Sequence, residues 1–489
     1  MKEYNKILAF LRSPLRVKEG GTAAVYFLGI GGIGMSALAR YFKSLGVTVS
    51  GYDKTATALT KQLSAEGINI HYEDNFELID KTAQVVVYTP AVPKDHEELN
   101  YYRQNNYTVV KRSDVLGAIT NGSFNICIAG THGKTTTSTM VAHILRHSGF
   151  GCNAFLGGIS VNYNTNFWSH TPEYPGSREE NVCVVEADEY DRSFLKLSPD
   201  IAIISSMDPD HLDIYGTAEN MEKAFIDFAA RVKPGGFLIH KYGLKRNAEL
   251  VADQFLTYHL YDKNADVYAI NIKMNNGSYR FDMVKNDADD AEWILKDVVL
   301  NMGGEHNIEN IIAAITVAHH VGIGDDKIIK AVADFKGVKR RFEYILKTGK
   351  QIYIDDYAHH PEELRALITG AKSMFPGKKC IVVFQPHLFS RTRDLADGFA
   401  EVLDLADEVI LLPVYPAREL PIKGVSSEMI VERMHSKDKI VMSKEALLKH
   451  FVLEKDAHTE EGFEGTVLIT AGAGDIDTLV EPIRKILST

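Results

Sequence analysis

Residues 27–42 read FLGIGGIGMSALARYF and carry Gly29, Gly31, Gly32 and Gly34 in the pattern G-x-G-x-x-G. The run before it, AAVYF, has the apolar character of a strand. The run after it, MSALARYFKSLG, has helical spacing and closes on Gly46; VTVSGYD then reads as a second strand ending at Asp53. Strand, glycine turn, helix and strand in this order predict a parallel sheet covered by helices. Its crevice would let backbone amides approach a diphosphate at a helix N-terminus. A tight turn that binds nothing satisfies the same pattern. A nicotinamide reading further requires a hydride-transfer acid or base.

Working outward, the βαβ rhythm starts twice more. FNICIAGTHGKTTTSTMVAHILRHSG runs from a strand through a glycine turn into a helix, and strands follow at NVCVVEAD, IAIISSM and GGFLIHK. The alternation around Asn276-Gly277 predicts a hairpin between 267 and 284. A third start follows the basic cluster Lys339-Arg340-Arg341, at QIYIDDYAHHPEELRALITGAKSMF. The chain has 489 residues, and at about 150 residues per domain this suits three. The expected α/β architecture is a Rossmann-like domain over 1–119, a P-loop-type ATPase domain over 120–338 and a second Rossmann-like domain over 339–489.

A net charge of −11 argues against broad nucleic-acid binding and against an anionic membrane surface. No apolar run approaches the ~20 residues that span a bilayer, and the N-terminal 21 residues lack the apolar core of an export signal. Cys127, Cys152, Cys183 and Cys380 are far apart and mostly in strand-like runs, as expected of buried thiols in a reducing cytoplasm.

The chemistry is set by AGTHGKTTT, residues 129–137. Gly130, Gly133, Lys134 and Thr135 resemble a P-loop: amides cradle phosphates, Lys134 neutralises β and γ oxygens, and the Thr135 hydroxyl holds Mg²⁺. The strict Walker pattern wants glycine where Ile128 stands, so this is a shorter variant. VVEADEYDRSF places Glu186, Asp188, Glu189 and Asp191 at one strand end; SSMDPDHLDIYG places Asp208, Asp210, His211 and Asp213 at another. Parallel strands deliver their C-termini to one edge, where carboxylates can hold a metal between nucleotide and acceptor. Solvated acidic loops are the alternative.

With GIGGIGMSALA, GTHGKTTT, EADEYDRSF, DPDHLD, HNIENIIAA, RRFE, DDYAHHPEE and FQPHLFSRTRDL in this order, the chain resembles the Mur ligase family, and its alanine-adding branch through His132. The resemblance spans residues 24 to 475. It implies ATP-dependent joining of L-alanine to the carboxylate of UDP-N-acetylmuramate, in peptidoglycan precursor synthesis. The first glycine loop would then hold a UDP-sugar and not NAD, through Gly29, Gly31, Gly32, Ile33 and Gly34, with Asp53 and His71 towards the uridine. ATP would meet Gly130, Thr131, His132, Gly133, Lys134, Thr135 and Thr136. Asn307 and Asn310 would meet its adenine, and Arg341 and Asp356 its phosphate and ribose. Helix capping competes for Asn307. Thr135, Glu186 and His211 would hold Mg²⁺. An imidazole is an unusual ligand for that ion, so His211 would bind weakly or through water, and Mn²⁺ would be tolerated. Tyr357, His359, His387 and Arg391 would shape the alanine pocket, with Arg391 on the carboxylate. Lys134, Glu186, His211 and Arg391 would carry catalysis. Either His359 or His360 would accept the ammonium proton. The C-terminal domain would close over the nucleotide.

Three departures stand out. Leu388 occupies the place of a common arginine, for which Arg393 is a candidate substitute; Tyr190 and Arg192 replace small residues; and Phe225 falls where several siblings carry a modified lysine, so no carbamylated lysine is expected. The rival readings are a recycling ligase that joins a preformed peptide to the same sugar nucleotide, a nucleotide-sugar oxidoreductase, and an ATP-hydrolysing interaction protein.

Overall fold

The computed structural model describes residues 23–169, 182–286, 292–417, 419–454 and 463–488. The N-terminal stretch read for an export signal and the side chain of Asp213 lie outside the described residues. The chain divides into two compact units, one of Met1–Ile270 with Asp282–Lys296 and Glu309–Val332, the other of Asn271–Phe281, Asp297–Ile308 and Ala333–Thr489.

The first sheet orders its strands 3-2-1-4-5: β1 (Ala24–Leu28), β2 (Thr48–Tyr52), β3 (Asn69–His71), β4 (Val85–Tyr88) and β5 (Thr108–Lys111). All of its pairings are parallel. Val25, Tyr26, Phe27 and Leu28 are buried on both faces of the sheet, as the unbroken apolar run predicts. The helix α1 (Ile33–Ser44) follows the glycine turn, and α2 (Arg112–Asn121) follows β5.

The second sheet has ten strands in the order 15-14-13-12-11-10-6-9-7-8. They are β6 (Phe124–Ala129), β7 (Asn153–Ser160), β8 (Thr165–Trp168), β9 (Val182–Glu186), β10 (Ile201–Ile204), β11 (Phe237–Lys241), β12 (Gln254–His259), β13 (Val267–Asn275), β14 (Ser278–Asn286) and β15 (Glu292–Leu300). β6 lies between β9 and β10 and is parallel to both, with Ile128 opposite Glu186 and Ala129 opposite Ile204. The three strands therefore end together, which puts their loops on one edge. The expected hairpin is β13–β14, turning at Asn276-Gly277. The helix α3 (Lys134–His147) opens directly from the second glycine turn.

The third sheet orders β16 (Glu343–Lys347), β17 (Gln351–Asp356), β21 (Thr466–Ala471), β18 (Lys379–Phe384), β19 (Glu408–Leu411) and β20 (Lys439–Val441). Only β16 runs antiparallel in it. The helix α4 (His306–His320) precedes this sheet, and α5 (Pro361–Met374) follows β17.

One continuous apolar cluster joins the inner face of α1 to the central strands. Phe42, Tyr41, Phe155, Phe167, Val185 and Phe225 all belong to it, and Tyr41 meets the Phe155 and Phe167 rings at 5.4 and 6.0 Å. The four cysteines are buried free thiols. Burial pushes Cys152 and Cys380 up to about 12, which leaves them inert. Among the described residues no helix is long and apolar enough to cross a membrane.

Candidate active site

The turn after β6 is shaped by the neighbouring strand end. Ser206 Oγ accepts from His132 N at 2.8 Å and lies 2.8 Å from Thr131 Oγ, while Ser205 N donates to the Ala129 carbonyl. Gly133 sits at φ +80, in the left-handed region that glycine adopts without penalty. A Cβ on it would also lie 2.6 Å from Asn310 Oδ1, so the carboxamide of Asn310 rests against the loop. Asn307 instead donates to the Gly303 carbonyl at 2.6 Å, a bond that anchors the start of α4.

Lys134 Nζ donates to the Gly130 carbonyl and to Glu189 Oε1, each at 2.7 Å. Glu189 is 1% exposed, and burial, the largest influence, raises its carboxyl against the pull of Lys134. Its second oxygen, Oε2, is buried with no hydrogen-bond partner among the described residues. Thr135 Oγ donates to Glu186 Oε1 at 3.0 Å, and Gly157 N donates to Glu186 Oε2 at 3.0 Å. Thr136 is buried in the first turn of α3. The loop after β9 thus touches the phosphate-binding turn twice. It continues outward through Asp188, which pairs with Arg112 at 3.3 Å, and Tyr190, whose ring meets His211 edge-on at 5.1 Å. His211 stands at φ +49 with Nε2 3.5 Å from Asp210.

The oxygen chemistry of Thr135 and Glu186 suits a hard cation, which takes one or two protein oxygens and completes its shell with phosphate and water. Among the described residues no three His, Cys, Asp or Glu side chains converge on a point.

In the first glycine turn, Gly29 N and Ile30 N donate to the Tyr52 carbonyl, Gly32 N to the Gly29 carbonyl, and Gly31 N to Asp53 Oδ2 at 2.7 Å. Asp53 therefore braces the loop, and the first turn of α1, from Ile33 and Gly34, is left to face an anion. His71 closes β3 beside a buried acid. Its Nε2 lies 2.7 Å from Tyr26 Oη, and that hydroxyl donates to Glu98 at 2.7 Å. Glu98 is fully buried, and desolvation pushes its carboxyl up to about 7.

In the second unit, Asp356 accepts from Phe342 N and Ala358 N, at 2.6 and 2.7 Å, and burial raises its carboxyl. The turn it holds presents Arg341 5.6 Å above the Tyr357 ring. Tyr357, His359 and His387 follow one another, at 5.3 Å and then 6.3 Å between rings, and Arg391 Nη1 is 3.4 Å from His387 Nδ1. Glu363 accepts from the backbone of both His359 and His360. His359 Nδ1 lies 3.0 Å from the Tyr357 carbonyl, which holds the proton on that nitrogen and leaves Nε2 as the basic one. Burial lowers the His359 imidazole. Arg393 is turned to its neighbour Asp394 at 2.7 Å.

Ser205, Ser206 and Glu363 lie within the motifs quoted above but carry no assigned role there, and Gly157 and Arg112 lie outside them. Only Glu363 left a local signal: a glutamate three residues after the helix start at His360-Pro361 is a capping pattern.

Comparison with known proteins places this geometry. The chain matches the Mur ligase family, catalytic domain, over residues 24–123, the Mur ligase middle domain over 128–318, and the Mur ligase, glutamate ligase domain, over 340–474. The chain belongs to the Mur ligase family. A relative from Cytophaga hutchinsonii, UDP-N-acetylmuramate–L-alanine ligase, is 47% identical over 94% of this chain and 96% of its own. The crystal structure of UDP-N-acetylmuramate-alanine ligase from Thermotoga maritima superposes with a TM-score of 0.76 at 27% identity, covering 95% of this chain and 98% of that one. A murein peptide ligase from Psychrobacter arcticus shares the fold, with a TM-score of 0.67 at 22% identity, covering 96% and 99%.

Two predictions concern this Mur ligase's carboxylates. A Cβ on Gly157 would lie 2.2 Å from Glu186 Oε2. Gly157→Ala is expected to push Glu186 off Thr135 and to raise the half-saturating Mg²⁺ concentration about tenfold or more, the scale of a disturbed metal ligand shell. Metal titration of turnover reads this directly.

Glu98 supplies the second. Its native carboxyl keeps its proton up to about pH 7, whereas in the unfolded chain it ionises near the ordinary glutamate value of 4.5. Stability from this group is therefore full below pH 4.5 and is lost as pH rises towards 7. Glu98→Gln, which does not titrate, is expected to gain on the parent by up to about 3 kcal/mol across that window. The difference in melting temperature between the two proteins at pH 5 and pH 8 checks the sign.

Proposed function

We propose that this chain catalyses the ATP-dependent ligation of L-alanine to the carboxylate of UDP-N-acetylmuramate. The observation that carries this reading is the end of β9 and the loop after it, which set one carboxylate on Thr135 and another on Lys134 at the head of α3. It stands in a chain 47% identical to an alanine ligase over nearly its whole length. The muramyl carboxylate attacks the γ-phosphorus of ATP and ADP leaves. The amine of alanine then attacks the acyl phosphate, and phosphate leaves.

Lys134 offsets charge on the transferring phosphoryl group. Reaching the triphosphate requires its Nζ to leave the Gly130 carbonyl and Glu189. Gly130, Thr131, His132, Gly133, Thr135 and Thr136 line the phosphates. Asn310 takes the adenine in preference to Asn307, whose amide is already used at Gly303. Arg341 and Asp356 serve phosphate and ribose. Thr135 and Glu186 hold Mg²⁺, with His211 in support; when bound, the ion neutralises phosphate oxygens and orients the acceptor. Gly29 to Gly34, Asp53 and His71 belong to the UDP-sugar.

Arg391 grips the carboxylate of alanine beside Tyr357 and His387. His359 Nε2 accepts the ammonium proton, because its Nδ1 is engaged and burial keeps the ring neutral. The buried free thiols are in keeping with a cytoplasmic site of action.

An ADP-release assay on UDP-N-acetylmuramate with single amino acids and a tripeptide tests the assignment. Turnover with L-alanine is expected; turnover with the tripeptide alone would move the chain to the recycling branch. Lys134→Ala is expected to abolish turnover. Arg391→Lys keeps the charge but loses the fork, and is expected to weaken kcat/KM for alanine by about 2–3 kcal/mol. The Michaelis constants for ATP and the UDP-sugar should hardly move.

A further inference from the structure

A cavity of ≈ 110 Å³ lies between the start of α1 and the loop after β9, with Gly34 on one side and Gly157, Glu186 and Asp188 on the other. Arg112, the first residue of α2, lines it too. Its guanidinium fits so closely over α1 that a Cβ on Gly34 would lie 2.5 Å from Nη1. Its other arm reaches Asp188, Nη2 to Oδ2, at 3.3 Å. Among the described residues lining the cavity, Arg112 is the single cation, and Glu186 and Asp188 are the two anions.

That charge pattern is a problem for an anionic acceptor. Like charges at contact distance repel strongly at the effective dielectric of a protein surface. A metal ion at Glu186 would offset that charge but not the second one at Asp188, and Lys134 is held at Gly130 and Glu189 and assigned to phosphate. Arg112 has the right chemistry. A guanidinium offers five donors in a planar fork that matches a carboxylate. Its contact with Asp188 is longer than the roughly 2.7–2.9 Å of a strong charge-assisted pair and uses one donor. Its side chain is 22% exposed, half as much as that of Asp188 at 42%.

We propose that Arg112 receives the muramyl carboxylate of the acceptor, exchanging Asp188 for the substrate as it enters. Glycine at 34 is what gives the guanidinium room beside the helix start. This deepens the ligase reading and rests on it.

Calorimetric titration of the full chain, with ADP and Mg²⁺ present, tests the proposal against two ligands. UDP-N-acetylmuramate carries the lactyl carboxylate; UDP-N-acetylglucosamine has the same nucleotide and sugar ring without it. Arg112→Ala is expected to weaken the first at least about tenfold, the scale of a lost charge-assisted hydrogen bond, and to leave the second within twofold. Arg112→Lys should recover part of the loss. Asp188→Asn removes the competing carboxylate without touching Arg112 and should tighten UDP-N-acetylmuramate alone, so the proposal stands or falls even if the arginine variants do not fold. Equal loss of both ligands in Arg112→Ala, no loss of either, or weaker UDP-N-acetylmuramate binding in Asp188→Asn would each overturn it. If the parent protein binds neither ligand, the ligase reading itself fails, and that result is distinct from any of these.

Discussion

A loop that must bind polyphosphate has two carboxylates built against it, and the phosphate end of the molecule is organised around keeping them there. Glu186 closes β9 and Glu189 lies three residues on in the loop that follows, yet their tasks differ. Glu186 accepts from a hydroxyl and a backbone amide at the head of the phosphate-binding helix. Glu189 is buried and is held by Lys134. A carboxylate removed from water at that depth is tolerable only with a charged partner. Without nucleotide the pair neutralises itself; with nucleotide the lysine has a stronger anion to meet.

The second unit solves a related problem by different means. There the backbone is clamped first and the side chains follow. Asp356 takes two amides across a turn and so places Arg341 and Tyr357, and Glu363 takes the amides of both histidines. Leu388 lies at φ +69, a strained place for a side chain with a Cβ. Its carbonyl accepts from Thr392 twice, which holds the strained residue at the head of the helix bearing Arg391. Fixed backbone around the candidate alanine residues means little rearrangement is needed to align them.

Features written in local sequence were readable in advance. Both glycine turns, the strands feeding them, the hairpin at Asn276-Gly277 and the buried thiols all rest on spacing or on residue chemistry within a few positions. The rest depends on sheet register. Glu186 meets Gly157, 29 residues away, because β7 pairs with β9. Ser206 meets His132 because β10 runs beside β6. Arg112 opens an unremarkable helix and gains its place only from a cavity assembled by α1, α2, β7 and the end of β9 with its loop. Glu98 reads as a surface glutamate, and nothing near it in sequence announces that Tyr26 and His71 close over it. Asn307 shows the converse. Its motif suggested a ligand as readily as a structural bond, and the structure spends its amide on Gly303.

The aromatic seam of Tyr41, Phe155 and Phe167 bears on how the chain comes apart. Because one apolar cluster runs unbroken from α1 into the central strands, the first sheet and the second share the interior on that face, while the other face of the first sheet keeps a cluster of its own around Tyr26, Leu99 and Tyr102. Cooperativity follows shared interior surface, so these two thirds of the chain are coupled in melting as well as in position. A truncation near residue 120, within α2, would leave a ring cluster facing water on both fragments. Neither piece would be the autonomous module that the recurrence of βαβ starts along the chain suggests.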